Sequence, residues 1–222
     1  MKALLRNNYY SVRPTLNVCI YLALAVAVIF VICGSFFNES IGSIIFNYGI
    51  FAIMGSFGGL TFTMLYNNSK SKWEKFELTA PISRKDVVRS RYVSTLIFAF
   101  IAFIATSLLI IVAYFTLDSF DLERAFMGYT VGFVLLVGAP AFTHPLILKF
   151  GIDKGQLLFM ISIVASLGLF MVPSILLGAW LSNFSDPYFA NLVYRCSTIV
   201  ISFILLLISY FISVKIYSKQ DL

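Results

Sequence analysis

Few residues within the apolar segments of this sequence are of types that could do acid–base chemistry. His144 is the only histidine, and it lies between Pro140 and Pro145. A histidine in such a position can relay protons through a membrane. It can also bond a backbone carbonyl that loses its helical donor beside a proline. The sequence leaves both interpretations open, and they differ in whether His144 takes part in function.

Nucleophiles and metal ligands are equally sparse. The three cysteines, Cys19, Cys33 and Cys196, lie in apolar runs without C-x-x-C or metal-ligand spacing, so we interpret them as small apolar side chains. No G-x-x-x-x-G-K-[ST], H-E-x-x-H or G-x-S-x-G motif occurs. We therefore predict that this chain is not an enzyme and holds no catalytic residue, metal or cofactor of its own.

The elements that must position these residues are membrane-spanning helices. Of 222 residues, 60% are hydrophobic and 12% are charged, whereas soluble domains carry about 25% charged residues. Apolar runs without charge reach, or nearly reach, the ~20 residues that cross a bilayer. These six runs are 14–38, 40–69, 92–117, 125–148, 155–185 and 196–214. We predict an all-α integral membrane protein of six helices, with residues 1–222 forming a single transmembrane domain.

The distribution of charge predicts the orientation in the membrane. Fourteen of the sixteen Lys and Arg residues lie at the two ends of the chain or in the second and fourth gaps between runs. Only Arg124 and Arg195 lie in the other gaps. Because cytosolic loops are enriched in Lys and Arg, we predict that both termini are cytosolic. Confinement of the basic residues to short gaps also argues against binding of nucleic acid.

The segments that flank the runs are short. Residues 1–10 mix Leu and Tyr with Lys and Arg, so they either lie on the inner membrane surface before a turn at Pro14 or form a frayed basic tail. The run that follows is too long for the apolar region of a signal peptide, so we expect it to be retained as the first helix. Residues 182–195 include four aromatic residues and are expected to lie in the outer interface.

The longest cytosolic segment, between the second and third runs, begins with a helix-start pattern. Ser71 with Glu74 three residues later forms a capping box. The helix that it predicts would carry Trp73 and Phe76 on one face and would end before Pro81. Such a short helix at the base of a membrane domain favours docking of a cytosolic partner, although a solvated loop that only sets topology would also carry its charges.

A second helix-start pattern follows in the same segment. Ser83 and Asp86 form another capping box, and Ile82 with Val87 fits a hydrophobic staple. The helix predicted from this start runs over 84–117, about 51 Å. That length exceeds the ~30 Å of bilayer hydrocarbon, so we expect the helix to project into the cytosol.

Two loops carry residue patterns typical of one family. The first loop contains W-E-K-F at 73–76 and P-I-S-R at 81–84, and the second contains K-F-G at 149–151 followed by Lys154. These residues resemble permease subunits of type 2 ABC exporters of the small six-helix kind, with Arg91 where Lys is usual. The resemblance implies a coupling helix within the segment 67–91, here called the coupling segment. The residues implied to contact a cytosolic ATP-binding cassette subunit are Trp73, Glu74, Phe76, Pro81, Ser83, Arg84, Lys149, Gly151 and Lys154.

The resemblance also implies a function. The chain would be the permease of an exporter in a bacterial cell membrane, paired with a second copy or a related permease, while ATP and Mg²⁺ would bind to the partner subunit. Runs without charge disfavour ion-coupled transport and small ionic solutes, and they favour amphipathic or lipid-like cargo. Similar permeases include exporters of membrane-active peptides such as phenol-soluble modulins, so we expect such antimicrobial or cytolytic peptides first. A non-transport scaffold or sensor component is the alternative.

Glycine and proline patterns within the runs predict local packing. The G-x-x-x-G pairs at 55–59 and 128–132 favour close contact between helices, either inside the chain or at a dimer seam. Pro173 predicts a bend in the fifth run, as a static kink or a gating hinge.

Overall fold

The protein is described by a computed structural model that covers residues 1–36, 39–73, 77, 82–116, 122–181 and 187–219. The elements in order are α1 (Lys2–Phe36), α2 (Glu39–Lys70), α3 (Arg84–Thr116), α4 (Leu122–Phe133), a π-helical segment (Val134–Gly138), α5 (Ala139–Phe150), a 3-10 turn (Ile152–Lys154), α6 (Gly155–Leu181) and α7 (Pro187–Ser218). Within these ranges six spans are long and apolar enough to cross a membrane, and the fourth joins α4, the π-helical segment and α5. The prediction of an all-α protein with six spans is confirmed.

Burial differs strongly among the six spans. In its most apolar window the fourth span, Ala125–Phe150, is 78% buried, and the second, Phe46–Lys70, is 56% buried. The other four spans are 17–28% buried over the described residues. The second and fourth spans therefore form the centre of the bundle, and the others surround them with apolar faces that suit lipid. The orientation in the membrane rests on charge and stays a prediction.

The start of the chain differs from both interpretations of the sequence. Helix α1 is continuous from Lys2 and contains Pro14 in its interior, so the chain neither turns at this proline nor frays before it. A proline inside a helix costs about 3 kcal/mol. Packing offsets this cost, because Leu4, Asn8 and Val12, spaced four residues apart on one face, are all buried.

Asparagines hold this start of α1 against the bundle. The Asn8 side-chain amide donates to the hydroxyls of Ser90 and Ser94 at 3.4 and 3.1 Å. Its oxygen accepts from the Asn68 amide at 3.1 Å, and the Asn67 amide donates to the Ser11 carbonyl at 2.6 Å. These bonds join α1 to both α2 and α3. They fix the position of α1 along its neighbours, which apolar packing alone would not specify.

The sixth span begins earlier than its charge-free run. Helix α7 starts at Pro187, so the described part of the segment expected in the outer interface is helical and continuous with the span, and its position in the membrane stays a prediction. Arg195 is 9% exposed and lies 5.8 Å from the centre of the Phe126 ring. The neighbouring Tyr194 hydroxyl donates to the Phe170 carbonyl. Contacts with α4 and α6 therefore allow a charged residue within the helix.

Close packing between α2 and the fourth span involves one of the predicted glycine pairs. A Cβ at Gly128 would lie 2.8 Å from the Asn47 side-chain oxygen, and one at Gly132 would lie 2.7 Å from the Met54 sulfur. A Cβ at Gly55, in the other pair, would meet nothing within 4 Å. The second pair therefore packs inside the chain, whereas Gly55 adjoins open space.

Candidate interface at the basic end of the bundle

Side-chain contacts join six helices, α1, α2, α3, α5, α6 and α7, at one end of the bundle. The start of α1 bonds the end of α2 and the start of α3 through asparagines. The first residue of α3 bonds the last turn of α7, and Thr95 farther along α3 bonds the middle of α5. A Cβ at Gly155, which begins α6, would lie 3.1 Å from Phe62 near the end of α2. This end carries the predicted cytosolic Lys and Arg residues, and we name it the basic end.

A buried ion pair anchors the coupling segment at this end. A guanidinium nitrogen of Arg91 lies 3.1 Å from the Glu77 carboxylate, and the two side chains are 1% and 2% exposed. The other carboxylate oxygen accepts a hydrogen bond from the Trp73 indole at 2.8 Å. The Arg91 guanidinium also lies 5.6 Å from the centre of the Tyr217 ring on α7. Glu77 therefore links the part of the coupling segment that precedes α3 to α3 itself, and Arg91 extends the link to α7.

The start of α3 confirms the N-cap half of the second capping box, the bond from the backbone at Asp86 to the Ser83 side chain. The Asp86 backbone N–H donates to the Ser83 hydroxyl at 3.1 Å, and that hydroxyl donates to the Asp86 carboxylate at 2.6 Å. Arg84 donates to the backbone carbonyls of Tyr217 and Ser218 at 3.4 and 3.1 Å. These carbonyls belong to the last turn of α7, where helical donors run out. Arg84 thus caps α7 and fixes it to the start of α3.

The first capping box is only partly described. The Ser71 hydroxyl donates to the Asn68 carbonyl at 3.1 Å, and Lys72 has a φ of 58°, so both residues terminate α2. Glu74 lies outside the described residues, and that box stays a prediction. Phe76 and Pro81 also lie outside them, so three of the nine predicted partner contacts have no described position.

The second predicted contact loop follows α5. Gly151 has a φ of 85°, which favours glycine, and its N–H donates to the Ile147 carbonyl at 2.9 Å to close the helix. Lys149 and Lys154 are exposed on either side of it, and the Lys149 ammonium lies 5.3 Å from the centre of the exposed Phe150 ring. The loop offers two cations and an aromatic ring at the basic end.

His144 lies at the centre of a buried polar cluster above this end. Its Nε2 lies 3.1 Å from the Thr95 hydroxyl, which is 3.2 Å from the Thr61 hydroxyl. Its ring stacks on Tyr92 with 4.3 Å between the ring centres. The Tyr92 hydroxyl in turn bonds two serines of α7. The prediction that His144 bonds a freed backbone carbonyl is wrong, because its hydrogen-bond partner is the side-chain hydroxyl of Thr95.

Sequence reasoning missed Glu77 and the polar cluster. Glu77 occurs among charged residues and is separated from Arg91 by fourteen positions, so no local pattern pairs them. One signal was available in α7, where Ser209 and Ser213 are one helical turn apart in an apolar stretch. Both hydroxyls bond the Tyr92 hydroxyl, at 2.6 and 2.8 Å.

One comparison with known families covers nearly the whole chain. A family model described as ABC-2 family transporter protein matches residues 3–218. The chain belongs to this family. As an ABC-2 family transporter protein it is a multi-pass membrane permease, a transport component without catalytic activity, and the family implies a partner ATP-binding subunit. No curated protein and no solved structure gave a significant match.

Proposed function

We propose that this ABC-2 permease exports amphipathic, membrane-active peptides or lipid-like molecules, driven by a cytosolic ATP-binding subunit that docks on the basic end. The observation that carries the proposal is the anchoring of Trp73 through Glu77 to Arg91. An anchored segment passes the displacement of a docked partner to α3, whereas a loose loop would absorb it. ATP and Mg²⁺ bind to the partner subunit in this proposal, and this chain contributes no cofactor.

The proposed docking surface combines both loops. Ser83, Arg84, Lys149, Gly151 and Lys154 are exposed and Trp73 is half-buried. Glu74, Phe76 and Pro81 join this surface through the family resemblance alone. Its positive charge favours a partner with a complementary acidic surface, because such complementarity speeds association and disfavours other partners.

The permease acts as a pair in the proposal, with a second copy or a related permease, in a bacterial cell membrane. Six spans supply half of a translocation path in the exporters that the chain resembles. The open space at Gly55 supports a seam there, since small residues on a membrane helix let a second helix approach closely.

A cavity between α2 and α4 supports the amphipathic substrate. It has a volume of about 460 Å³ and is lined by Asn47, Tyr48, Phe51, Met127, Gly128 and Val131. Among the described residues, the lining offers two aromatic rings, a thioether and one side-chain amide, and none of these six lining residues carries a charge. An apolar face with a few polar groups can bind there, whereas a small ion would find no counter-charge.

Reversal of charge in the second loop tests the docking surface. The variant Lys149→Glu/Lys154→Glu should reduce co-purification with the cytosolic ATP-binding subunit by about tenfold, equivalent to ~1.4 kcal/mol. The physical reason is that two attractive charges at the rim become repulsive. The measurement is the yield of ATP-binding subunit on the affinity-tagged permease in detergent.

The matched control is Lys2→Glu, which reverses an exposed cation of α1 that lies outside the proposed surface. It should leave the yield unchanged. Equal yields for wild type and both variants would reject the docking surface. No recovery of any ATP-binding subunit on the wild-type chain would instead favour the scaffold or sensor alternative.

Removal of cavity aromatics tests the substrate. Tyr48→Ala/Phe51→Ala should raise the concentration of amphipathic helical peptide that half-maximally stimulates ATP hydrolysis by about tenfold in the liposome-reconstituted complex. Phe100→Ala, on the exposed face of α3 outside the cavity, is the control and should leave it unchanged. If both variants match wild type, the cavity is not the substrate site. If a hydrophilic peptide of equal length stimulates equally, the amphipathic class is wrong.

A further inference from the structure

The fourth span combines three features that weaken a helical backbone. The π-helical segment Val134–Gly138 interrupts its α-helical hydrogen bonding, and every residue of that segment is buried. Pro140 and Pro145 follow, and each lacks a backbone N–H. A π-helical insertion in an α-helix often marks a functional site. The span with the greatest burial among the described residues is thus also the one whose backbone is interrupted most.

Small residues let this interrupted span lie close to its neighbours. A Cβ at Gly58 of α2 would lie 2.9 Å from the Leu135 carbonyl oxygen, and one at Gly138 would lie 3.1 Å from the Ser166 side chain of α6. At Gly58 no side chain separates the two backbones, and at Gly138 only the small Ser166 side chain does, so few interlocked side chains oppose a shift of the π-helical segment.

One continuous series of short contacts joins the coupling segment to this span. Trp73 bonds Glu77, which pairs with Arg91 at 3.1 Å. One turn along α3, the Thr95 hydroxyl lies 3.1 Å from the Arg91 carbonyl oxygen and 3.1 Å from His144 Nε2. His144 follows the π-helical segment and lies between the two prolines.

The hydrogen-bonding capacity of Thr95 limits how its hydroxyl can bond its neighbours. A threonine hydroxyl has one hydrogen and two acceptor positions. With its hydrogen given to the Arg91 carbonyl, the Thr95 hydroxyl can accept from Nε2 of a His144 ring that is protonated at that nitrogen. The other ring nitrogen, Nδ1, is buried and has no hydrogen-bond partner among the described residues. The single polar link from His144 to α3 is therefore the Nε2–Thr95 bond, supported by the stack on Tyr92.

We propose that the fourth span is the part of the permease that moves during transport, and that His144 is the positioning residue through which α3 moves it. Displacement of the coupling segment reaches Arg91 through Glu77, and it reaches α5 through Thr95 and His144. The interrupted backbone at the π-helical segment then lets α5 shift without moving α4 by the same amount. This proposal rests on the proposed docking of an ATP-binding subunit.

Substitutions of Thr95 and His144 distinguish loss of coupling from loss of docking of the ATP-binding subunit. Thr95→Val and His144→Phe remove the Nε2–Thr95 bond, and the phenyl ring retains a stack on Tyr92. Co-purification of the ATP-binding subunit and its basal ATP hydrolysis should stay at the wild-type level. Stimulation of hydrolysis by amphipathic peptide should fall about fivefold or more, the lower end of typical coupling between linked sites. His144→Gln, whose amide N–H can replace Nε2–H, should restore most of the stimulation.

The matched control is Thr106→Val. Thr106 is also buried on α3, and its hydroxyl bonds the carbonyls of Ala102 and Phe103 in its own helix, but it takes no part in the series of contacts from Trp73 to His144. Peptide stimulation should be unchanged in this variant. An equal fall in Thr95→Val and Thr106→Val, or no fall in His144→Phe, would overturn the role of His144.

A distance measurement tests the movement itself. Spin labels at the exposed positions Phe150 on α5 and Ile97 on α3, in a chain without its native cysteines, should change separation when a non-hydrolysable ATP analogue is added to the complex. His144→Phe should abolish the change. Identical distances with and without nucleotide in the wild-type complex would overturn the proposal, whereas failure of the complex to form would refute the docking on which it rests.

Discussion

Glu77→Gln should destabilise this permease more than any substitution on its surface. The change leaves the Arg91 guanidinium, whose side chain is 1% exposed, without its carboxylate partner. Loss of one partner of a buried pair typically costs about 3–5 kcal/mol. For a chain of this size that corresponds to a fall in melting temperature of roughly 10 °C. The measurement is thermal unfolding of the purified chain in detergent.

Two further variants separate the ion pair from general sensitivity to mutation. Arg89→Gln removes an exposed cation of α3 and should leave the melting temperature within about 2 °C, since surface changes usually stay within ±0.5 kcal/mol. Glu77→Gln/Arg91→Met removes both charges, so it should recover most of the loss. A wild-type melting temperature for Glu77→Gln would show that the pair does not anchor the coupling segment.

Gly58→Ala should also destabilise the protein, because its new methyl group would meet backbone. A Cβ there would lie 2.9 Å from the Leu135 carbonyl oxygen and 3.3 Å from the Leu136 Cα. Backbone atoms of a buried π-helical segment cannot rotate away, so α2 and the fourth span must separate. Overpacking of this kind costs about 1–3 kcal/mol. Thermal unfolding in detergent measures the loss.

Gly55→Ala is the matched control for this prediction. Gly55 lies on the same helix three residues earlier, and a Cβ there would meet nothing within 4 Å. Alanine is favoured over glycine in a helix by about 0.5–1 kcal/mol, so this variant should be as stable as wild type or slightly more stable. If Gly58→Ala were equally harmless, the contact between α2 and the π-helical segment would be less close than described.

Hydropathy and helix-capping patterns predicted the features that depend on local sequence. Absence of charge over about 20 residues is sufficient to predict a span, so all six were found. The capping box at Ser83 was found because its partner, Asp86, is three residues away and both atoms belong to one helical turn.

Features that depend on distant residues could not be predicted in this way. The continuity of α1 through Pro14 depends on contacts with α2 and α3, whereas the local propensity favours a break. The partner of His144 is forty-nine residues away on α3, and the prolines beside it suggested a backbone carbonyl instead. The π-helical segment follows from the packing of five buried residues whose types alone resemble any apolar helix.

In the proposed function, a separate ATP-binding subunit drives this permease. The most direct test of this dependence is the rate of ATP hydrolysis by that subunit in liposomes, with and without the permease, during titration with an amphipathic helical peptide. We expect the peptide to raise the rate in a saturable way only when the permease is present. An equal rate with and without the permease at every peptide concentration would contradict it.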